Sequence, residues 1–424
     1  MSKESKKRIC LVTNWYPDKE NPYRGSFFKE QAFAMAENFD FVVVHYVEKK
    51  KVPLLLYWFF CLTGRDCSVE KINEEKNTVE YNIVVSFPLY TIFVDKIYDW
   101  YIRFIKGFSI EGVGEFVSNT YKKRKFRNIQ KVFKTLFPED FDVLYCVDAQ
   151  AESYTLQLIS EVTNKPYVVS EHAPFPWPGS TLKDVERNAI INANLFLAIS
   201  YDKIRQVMLQ NITLKKIAYV GNLVNEEHFK PSERMNEVKT FIMVAAHSFY
   251  KNYPLFIEIF NKLTEITTCP FRVLIVGYGA NKGYSKNAEI LENKIKDSKF
   301  ASSVELIPEV SRDRIQEVYG RADAFVMTSV QEGMPVSALE AGCCGLPIFS
   351  TMCGGVEDYV DDKTGRIYKI MDSESFANGL KEYLEGTITF EPEYIRKNII
   401  EKYGTEAFVK NMTKEFMDVI GVEK

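Results

Sequence analysis

Two glutamates with a fixed spacing are the first side chains in this sequence that suggest a reaction. Glu332 and Glu340, with seven residues between them, lie in the stretch TSVQEGMPVSALEAGCCGLPIFSTMCGGVEDY, which runs from Thr328 to Tyr359. The apolar run 324–327 before it is typical of a buried parallel strand. Glu332 is therefore predicted on the loop after a strand, and Glu340 a turn into the next helix. Ligands of open α/β sheets bind at that edge, so both carboxylates can meet one ligand.

The start of that helix is a predicted anion site. Pro335 suits a first helical turn because the N–H group that it lacks would be unpaired there. The N–H groups around Val336 and Ser337, with the positive end of the helix dipole, favour a phosphate. Gly354 and Gly355 let the backbone of a second loop approach the same crevice closely. A phosphate at a helix start, beside carboxylates for sugar hydroxyls, is the chemistry of a nucleotide-sugar site.

The elements that must position these groups alternate along the chain. The sequence predicts helices between buried strands, which include Ile9–Thr13, Tyr167–Ser170, Thr240–Ala245 and Phe271–Val276. Strands that alternate with helices indicate parallel sheets and the α/β class. Three further candidates stand after such strands, because His172, Lys251 and Gly277 follow the last three of them. We expect them at the same sheet edges as the glutamates.

Composition excludes several classes of function. With 424 residues and 46% hydrophobic content, the chain is long enough for two or three domains. A formal net charge of −3 and a pI near 6.0 give no basic signature of nucleic-acid binding. The eight cysteines form no CxxC pair, and none of the four histidines lies within a few residues of a cysteine. We therefore predict free thiols in a reducing compartment and no metal site.

The sequence also bears on the compartment. Its charged start, MSKESKKRICLV, does not resemble a signal peptide. The longest uncharged apolar run, Val52–Leu62, is shorter than the ~20 residues of a spanning helix. We expect a cytoplasmic protein, with a possible position at the inner face of the cytoplasmic membrane.

A basic amphipathic segment raises the question of membrane contact. Residues 121–137, YKKRKFRNIQKVFKTLF, place apolar side chains at helical spacing and carry seven Lys or Arg. Such a helix can lie on an anionic membrane surface. It can equally be an ordinary domain helix that buries its apolar stripe and solvates its lysines. The sequence leaves both interpretations open.

The stretch around the two glutamates resembles the signature of the family 4 retaining glycosyltransferases, which have the GT-B fold. That signature is S-x-x-E-G-M/F-P-x-x-x-L-E-A, followed by G-x-P and then by G-G. The matching residues here are Ser329, Glu332, Gly333, Met334, Pro335, Leu339, Glu340, Ala341, Gly345, Pro347, Gly354 and Gly355. So many matches in order are far more specific than a lone G-x-G-x-x-G. The resemblance is dense from about 240 to 370 and thin, but in the correct order, from 9 to 225.

The resemblance implies two Rossmann-like domains that face each other across a cleft. Residues 1–225 would form an N-terminal, acceptor-binding domain. Residues 238–404 would form a C-terminal domain that binds the nucleotide-sugar donor. The last helix, within residues 405–424, would cross back and pack on the N-terminal domain.

The resemblance also implies roles for individual residues. Three would be catalytic: Glu332 against the donor sugar's hydroxyls, Lys251 on the leaving diphosphate, and His172 as the group that orients the sugar. Glu340 would hold the ribose hydroxyls. Further contacts with the donor would come from Gly333, Met334, Pro335, Val336, Ser337, Gly25, Gly277 and Asn222.

Three positions depart from the family's pattern. Ala246 stands where the family usually has an Arg that grips the diphosphate together with Lys251, so a planar bidentate donor is missing. Arg24-Gly25 replaces the usual Gly-Gly of the first loop, and Asn225 replaces the usual Asp. Either helix N–H groups compensate for the missing Arg, or donor binding is weaker than usual.

The function implied is a retaining, metal-independent hexosyltransferase whose donor substrate is a nucleotide-diphosphate sugar and which needs no cofactor. Its acceptor would be a glycan or a lipid-linked sugar in the synthesis of a cell-surface polysaccharide, such as capsule or lipopolysaccharide. Two alternatives stay open. One is a catalytically silent GT-B subunit that binds a donor or a partner. The other is a nucleotide-sugar epimerase on the same architecture, which the paired glutamates disfavour.

Overall fold

The computed structural model describes residues 6–17, 25–52, 67–88, 125–176, 179–233, 237–279 and 285–421. In these ranges the strands form two sheets, one of eight strands and one of six. The strands of the first sheet lie between residues 7 and 219, and those of the second between residues 240 and 368. Helices connect the strands in both, which confirms the predicted α/β class.

The first sheet is parallel except at one edge. Its strand order is β3-β4-β2-β1-β5-β6-β7-β8. Within the described strands, β3 alone runs antiparallel to its neighbour, β4. The strands are β1 (Lys7–Val12), β2 (Phe39–Val52), β3 (Cys67–Glu75), β4 (Thr78–Pro88), β5 (Val143–Cys146), β6 (Tyr167–Ser170), β7 (Leu195–Ala198) and β8 (Ile217–Tyr219).

The second sheet is parallel throughout its described strands, in the order β11-β10-β9-β12-β13-β14. The chain moves outward from β9 to β11 and then returns to the other side of β9 with β12. This reversal makes a topological switch point, where ligands of such sheets bind. The strands are β9 (Thr240–Val244), β10 (Arg272–Val276), β11 (Val304–Ile307), β12 (Ala324–Met327), β13 (Ile348–Thr351) and β14 (Gly365–Tyr368).

The helices begin at local sequence signals. Asp148, Ser200 and Asp372 each accept a hydrogen bond from the first turn of the helix that follows. The helices used below are α1 (Ser26–Ala34), α2 (Ala149–Thr163), α3 (Asp184–Asn192), α4 (Tyr201–Met208), α5 (Tyr253–Ile266), α6 (Ser285–Lys296), α7 (Ile315–Tyr319), α8 (Val336–Cys343), α9 (Ser373–Leu384), α10 (Pro392–Tyr403) and α11 (Thr405–Ile420).

Apolar side chains fill both faces of each sheet. In β1, Cys10 and Val12 pack into a cluster on one face. Ile9 and Leu11 pack into a different cluster on the other face, as the two-residue period of a strand requires. The second sheet is covered in the same way by two further clusters. Burial on both faces explains why the strands read as continuous apolar runs.

The last helix packs on the first sheet. At its start, the Thr405 N–H donates to the Glu226 carboxylate at 2.9 Å. The Phe416 ring then lies 5.9 Å from the Phe39 ring and 5.4 Å from the Tyr145 ring. Three side chains of α11 join the core beneath that sheet: Phe408, Met412 and Phe416. The chain therefore crosses back, as the resemblance implies.

The region between residues 50 and 135 contains a hairpin of β3 and β4 that sequence analysis did not predict. Its two-residue turn, Lys76-Asn77, has positive φ at both positions. Such turns are usually recognised by a glycine, as in Asn-Gly, and none is present here. The apolar run Val52–Leu62 lies outside the described residues from residue 53 onward.

The basic segment 121–137 is described from residue 125. Residues 125–131 are helical, and Val132–Leu136 continue as a π-helical turn. Ile129 and Val132 are fully buried, and Phe126 packs against the same core. This is the packing of an ordinary domain helix, and contact of its basic side with a membrane stays a prediction. In the described ranges, none of the helices combines the length and the apolar run that a bilayer crossing requires.

Candidate functional site

A lysine–glutamate ion pair lies at the switch point of the second sheet. The Lys251 ammonium donates to Glu332 Oε1 at 2.6 Å, and the two side chains are 23% and 14% exposed. Lys251 follows β9 and Glu332 follows β12, which are neighbouring strands. Each charge thus has a partner despite its partial burial. The parallel sheet brings together two residues that are 81 positions apart in the chain.

Backbone hydrogen bonds fix the two loops that carry this pair. The Thr328 hydroxyl donates to the Lys251 carbonyl at 2.9 Å. The Glu332 N–H donates to the Cys353 carbonyl at 2.7 Å. The loop after β12 is therefore held between the loops after β9 and β13, and both charged side chains have a defined position.

Gly333 brings the edge of the second sheet against the first. A Cβ atom added at Gly333 would lie 2.4 Å from the His172 carbonyl oxygen, closer than real contacts allow. Only a glycine permits this approach without movement of the backbone. Since His172 follows β6 and Gly333 follows Glu332, the carboxyl edges of the two sheets meet beside the ion pair.

His172 is half-buried, and its imidazole lies against aromatic rings. Both of its ring nitrogens are shielded from water and have no hydrogen-bond partner within the described residues. The ring of Phe28 lies edge-on at 4.8 Å, and that of Phe27 at 6.0 Å. Burial, with the positive charge of Lys203, lowers the pKa of His172 to about 3. The imidazole is thus neutral near pH 7 and can donate one hydrogen bond and accept another.

Two buried charged residues support the loop of His172. Glu171 and Lys203 are both completely buried. Glu171 accepts a hydrogen bond from the Ala173 N–H at 2.9 Å, and the Lys203 ammonium donates to the Ala173 carbonyl. Burial raises the pKa of Glu171 and lowers that of Lys203, while their mutual attraction acts against both shifts. The residue after His172 is thereby held by a carboxylate and an ammonium.

Glu340 is held by residues that sequence analysis did not assign. One of its oxygens accepts from the Arg312 guanidinium, and the other accepts from the Tyr319 hydroxyl at 2.9 Å. Arg312 also binds Glu30 of α1 in a fork, at 3.0 and 3.1 Å. Burial raises the pKa of the Glu340 carboxyl, and the Arg312 guanidinium acts against that rise. Arg312 thus ties the predicted ribose-binding carboxylate to α1.

A second polar bridge joins α1 to the signature loop. The Asn222 side-chain amide donates to the Met334 carbonyl at 3.2 Å and accepts from the Gln31 amide at 2.9 Å. Asn222 is 2% exposed and Met334 is 4% exposed. Asn222 and Met334, which were both predicted to bind the donor, are hydrogen-bonded to each other in this structure. Asn222 thereby fixes the loop before α8.

The start of α8 offers backbone N–H groups one turn from the ion pair. Pro335, at its N-cap, provides no side-chain hydrogen bond to them. Val336 and Ser337, the first two residues of the helix, are half-buried. The first N–H groups of a helix lack intrahelical partners and carry a partial positive charge. An anion such as a diphosphate suits this position.

The other predicted residues stand on neighbouring loops. Gly25 is the N-cap of α1 with φ +60°, where an added Cβ would overlap a backbone carbonyl. Gly277 follows β10 with φ +82°, and no atom lies closer than 3.8 Å to such a Cβ. Ala246 precedes His247, whose ring stacks on Tyr253 at 5.2 Å. A Cβ atom at Gly277 would thus meet no close contact, and the His247 imidazole lies next to Ala246 in the chain.

The structure thus gathers Lys251, Glu332 and His172 at one point, with Glu340 a turn along α8. The residues that sequence analysis missed include Arg312, Tyr319 and Glu30 around Glu340, and Glu171 and Lys203 beside His172. A signal for Arg312 was available, because it follows β11 at the same sheet edge. Glu30 reads as an ordinary helix glutamate. Within the described ranges, no group of three or more His, Cys, Asp or Glu side chains is placed to hold a metal ion.

Comparison with known proteins finds a family match within the second half of the chain. Residues 224–402 match the sequence profile of the family described as "Glycosyl transferases group 1". The alpha-galactosylglucosyldiacylglycerol synthase of Streptococcus pneumoniae is 31% identical over 157 residues, which are 34% of this chain and 40% of that enzyme. The lipopolysaccharide 1,6-galactosyltransferase of Escherichia coli is 24% identical over 294 residues, or 67% of this chain and 77% of that enzyme. The first of these matches covers less than half of the relative's own length.

Solved structures with the same fold cover nearly the whole chain. The sucrose-phosphate synthase from Thermosynechococcus elongatus superposes with a TM-score of 0.68 at 13% identity, over 99% of this chain and 100% of that one. The Anabaena protein HepE, in complex with UDP-glucose, superposes with a TM-score of 0.63 at 13% identity, over 97% and 99%. These likenesses establish the GT-B fold.

Proposed function

Because this chain belongs, through residues 224–402, to the group 1 glycosyl transferases and has the GT-B fold, we propose that it transfers a sugar from a nucleotide-diphosphate sugar to a glycan or lipid-linked acceptor. The observation that carries the proposal is the Lys251–Glu332 ion pair, 2.6 Å long, at the point where the two sheets meet. Relatives whose names specify glycolipid and lipopolysaccharide synthesis support an acceptor of this class.

Donor binding, in this proposal, uses groups from both halves of the chain. The N–H groups at the start of α8 and the Lys251 ammonium hold the diphosphate. Glu340 accepts hydrogen bonds from the ribose, and Glu332 from hydroxyls of the sugar. The neutral His172 imidazole, with two unpartnered nitrogens, orients the sugar from the other side. A uridine base is the first candidate, because a protein of the same fold binds UDP-glucose.

The reaction that we propose retains the anomeric configuration. The bond between the anomeric carbon and the leaving phosphate oxygen breaks while the acceptor hydroxyl attacks from the same face. The acceptor's proton passes to the leaving phosphate oxygen. Lys251 stabilises the charge that develops on the diphosphate, and such electrostatic stabilisation is usually the largest single contribution to catalysis.

Positive charge at the diphosphate comes from the protein in this proposal, so we expect no requirement for a divalent cation. Incubation with EDTA, followed by removal of the chelator, should leave the transfer rate within twofold of that of the untreated protein. Recovery of a much higher rate on addition of Mg²⁺ or Mn²⁺ would overturn this part of the proposal.

A screen of nucleotide sugars by thermal shift tests the function directly. A ligand at 100 times its Kd adds about 2.7 kcal/mol to the free energy of unfolding. We expect one donor to raise the melting temperature clearly and to be hydrolysed slowly, with release of the nucleoside diphosphate.

Three results would contradict transfer. Binding of a donor without release of the nucleoside diphosphate, even with sugar acceptors present, would identify a catalytically silent subunit. The presence of Ala246 in place of the usual Arg favours this alternative slightly. Conversion of one nucleotide sugar into another, without an acceptor, would identify an epimerase. The absence of a shift with every donor would show that Lys251 and the helix N–H groups do not replace the missing guanidinium.

A further inference from the structure

A cavity of about 330 Å³ opens at the amino edge of the second sheet, at the opposite end of its strands from the Lys251–Glu332 pair. It lies where β9, β10 and β11 begin and beside the turn that precedes β12. Its lining includes Arg272, Ser302, Ser303, Glu305 and Arg321. We call it the Arg272 cavity. The site described above uses none of these side chains.

The Arg272 cavity is too far from the ion pair to be part of the same site. Thr240, which also lines the cavity, begins β9, and Lys251 lies beyond the other end of that strand. The five residues of β9 span about 17 Å at ~3.3 Å per residue. A ligand in the cavity is therefore separated from the proposed donor site by the length of a strand.

Several hydrogen-bond donors that line this cavity have no partner in the protein. The Arg272 guanidinium forms no ion pair or side-chain hydrogen bond within the described residues. The hydroxyls of Ser302 and Ser303 form none in that part of the chain either. A guanidinium presents five N–H donors in a rigid fork and no acceptor. Only solvent or a ligand can therefore satisfy these donors.

A second guanidinium lines the same cavity. Arg321 is paired with Glu305, and the two side chains are 48% and 51% exposed. Exposed ion pairs of this kind are weak because water screens them. An anion can thus replace the carboxylate at Arg321 at little cost, and Glu305 can then accept hydrogen bonds from hydroxyl groups of the same ligand.

The charge of the lining favours an anion. Two guanidinium groups and one carboxylate give the lining a net charge of +1 within the described residues. Asp323, which follows Arg321 by two positions, accepts from the Thr240 N–H at 2.8 Å, so its carboxylate is held by the backbone of β9. A phosphate group has three strong acceptor oxygens, enough for a bidentate guanidinium contact and for hydroxyl donors as well.

The size of the cavity allows more than a bare ion. Pockets for small molecules usually have volumes of about 300–1,000 Å³, and this cavity is at the lower end of that range. A phosphate group at Arg272 leaves space beside Glu305 for a small organic group that carries hydroxyls.

We propose that the Arg272 cavity is a second ligand site, which binds a phosphate group as the free ion or as part of a small ester such as a sugar phosphate. Arg272 and the two serine hydroxyls hold the phosphate oxygens, and Arg321 adds a second positive charge. This inference does not depend on the proposed transfer reaction, because the cavity lies at the other edge of the sheet.

Phosphorus NMR titrations with inorganic phosphate, glycerol 3-phosphate and glucose 6-phosphate test the binding. We expect at least one of these probes to bind the wild-type protein with a Kd below about 1 mM. Arg272→Gln removes the unpaired guanidinium and should raise that Kd at least tenfold. Ser302→Asp places a negative charge at an exposed position and should have an effect of the same size, because it repels the phosphate.

Matched variants separate this cavity from the proposed donor site, where phosphate can also bind. Lys251→Met removes the ammonium of that site and should leave the Kd within twofold. Arg314→Gln removes a different exposed guanidinium, which pairs with Glu317, and should also leave the Kd within twofold. Circular dichroism melting shows that each variant is folded.

The three probes distinguish the two sources of the phosphate group. A Kd for either ester at least threefold below that of inorganic phosphate, lost in Arg272→Gln, would support a phosphate ester as the ligand. Equal Kd values that all rise in Arg272→Gln would support the free ion. No binding of any probe, or binding that Lys251→Met abolishes and both cavity variants leave within twofold, would overturn the inference.

Discussion

The Lys251–Glu332 pair keeps two opposite charges satisfied until a donor competes for both. In the proposed complex, the diphosphate takes the place of the Glu332 carboxylate as the partner of the Lys251 ammonium. The sugar hydroxyls take the place of that ammonium as the hydrogen-bonding partners of Glu332. The pair is also short, 2.6 Å, and only partly exposed. An exchange of this kind avoids a buried, unpaired charge, which would cost several kcal/mol.

Removal of either charge should reduce the reaction, because the donor loses a group that binds it. We expect Lys251→Met to lower kcat by roughly 100- to 1,000-fold, the usual loss when one stabilising donor is removed from a developing anion. Glu332→Gln should lower kcat/KM for the donor by at least tenfold. The control is Lys262→Met, which removes a lysine that pairs with Glu258 on the surface of α5. Steady-state rates within threefold of the wild type for Lys251→Met would refute its role.

Arg312 is the residue on which Glu340 depends. In Arg312→Ala, the buried Glu340 carboxylate and Glu30 both lose their cationic partner. Breaking one side of a buried ion pair costs about 3–5 kcal/mol, and we expect a loss of that size in chemical denaturation and a higher donor KM. Arg314→Ala, which removes an exposed pair with Glu317, should cost less than ~1 kcal/mol. Equal effects of the two variants would show that Arg312 is an ordinary surface arginine.

His172 should not titrate in the physiological range. Its pKa lies near 3 because burial and Lys203 disfavour the imidazolium. The folded pKa is below that of the unfolded chain, so the stability that the neutral ring contributes is present above pH 6.5 and decreases as the pH falls towards 3. Proton NMR of the four histidines, with His172→Asn for assignment, should show no shift of its ring signals between pH 8 and pH 5. A midpoint near 6.5 would mean that water reaches the ring in solution.

At the scale of elements, the contact between the loop after β6 and the loop after β12 decides the width of the cleft. No side chain fits at Gly333, because its Cβ position is 2.4 Å from the His172 carbonyl. The same loop is tied to α1 through Asn222 and Gln31. Helix α1 is therefore the element of the first half that supports the signature loop of the second.

Gly333→Ala should force these two loops apart. We expect at least a tenfold loss of transfer activity, because a displacement of about 1 Å can cost about 100-fold when reacting groups must be aligned. Gly386→Ala is the control, since Gly386 has φ +76° but nothing within 4 Å of its Cβ position. That variant should lose some stability and no activity. Full activity in Gly333→Ala would show that the loops separate without consequence.

At the scale of the whole molecule, the end of the chain stabilises its beginning. Helix α11 follows residues 224–402, which match the group 1 profile, but packs beneath the first sheet, where Phe416 is fully buried. The crossing point is fixed by the Thr405–Glu226 hydrogen bonds and by the Val224 N–H, which donates to the Tyr403 carbonyl at 2.9 Å. The two halves are thus connected twice, at 224–226 and at 403–405.

Phe416→Ala should consequently destabilise the first sheet. A buried Phe→Ala change costs about 3–5 kcal/mol. We expect faster hydrogen exchange in β1 and β5, which pack against Phe416 in the same cluster, and little change in β9–β14. Tyr394→Ala, at a side chain that is 38% exposed, serves as the control. Uniform acceleration in both sheets would show that the chain unfolds as one unit instead.

The sequence by itself determined the elements whose signals are local. Apolar runs placed β6 at Tyr167–Ser170 and β12 at Ala324–Met327, and proline and glycine marked the two ends of α8. The order of strands and helices then placed Glu332, Lys251 and His172 at the carboxyl edges of their sheets. The resemblance to the group 1 family could also be read from the sequence, because the residues of the signature loop are close together in the chain.

Only the tertiary structure decided which distant groups meet. Arg312 and Glu30 are 282 positions apart, and no local pattern marks either as the other's partner. The pKa of His172 depends on its burial and on Lys203, and the partners of Asn222 come from α1 and from the loop before α8. Such contacts arise when separately formed elements pack.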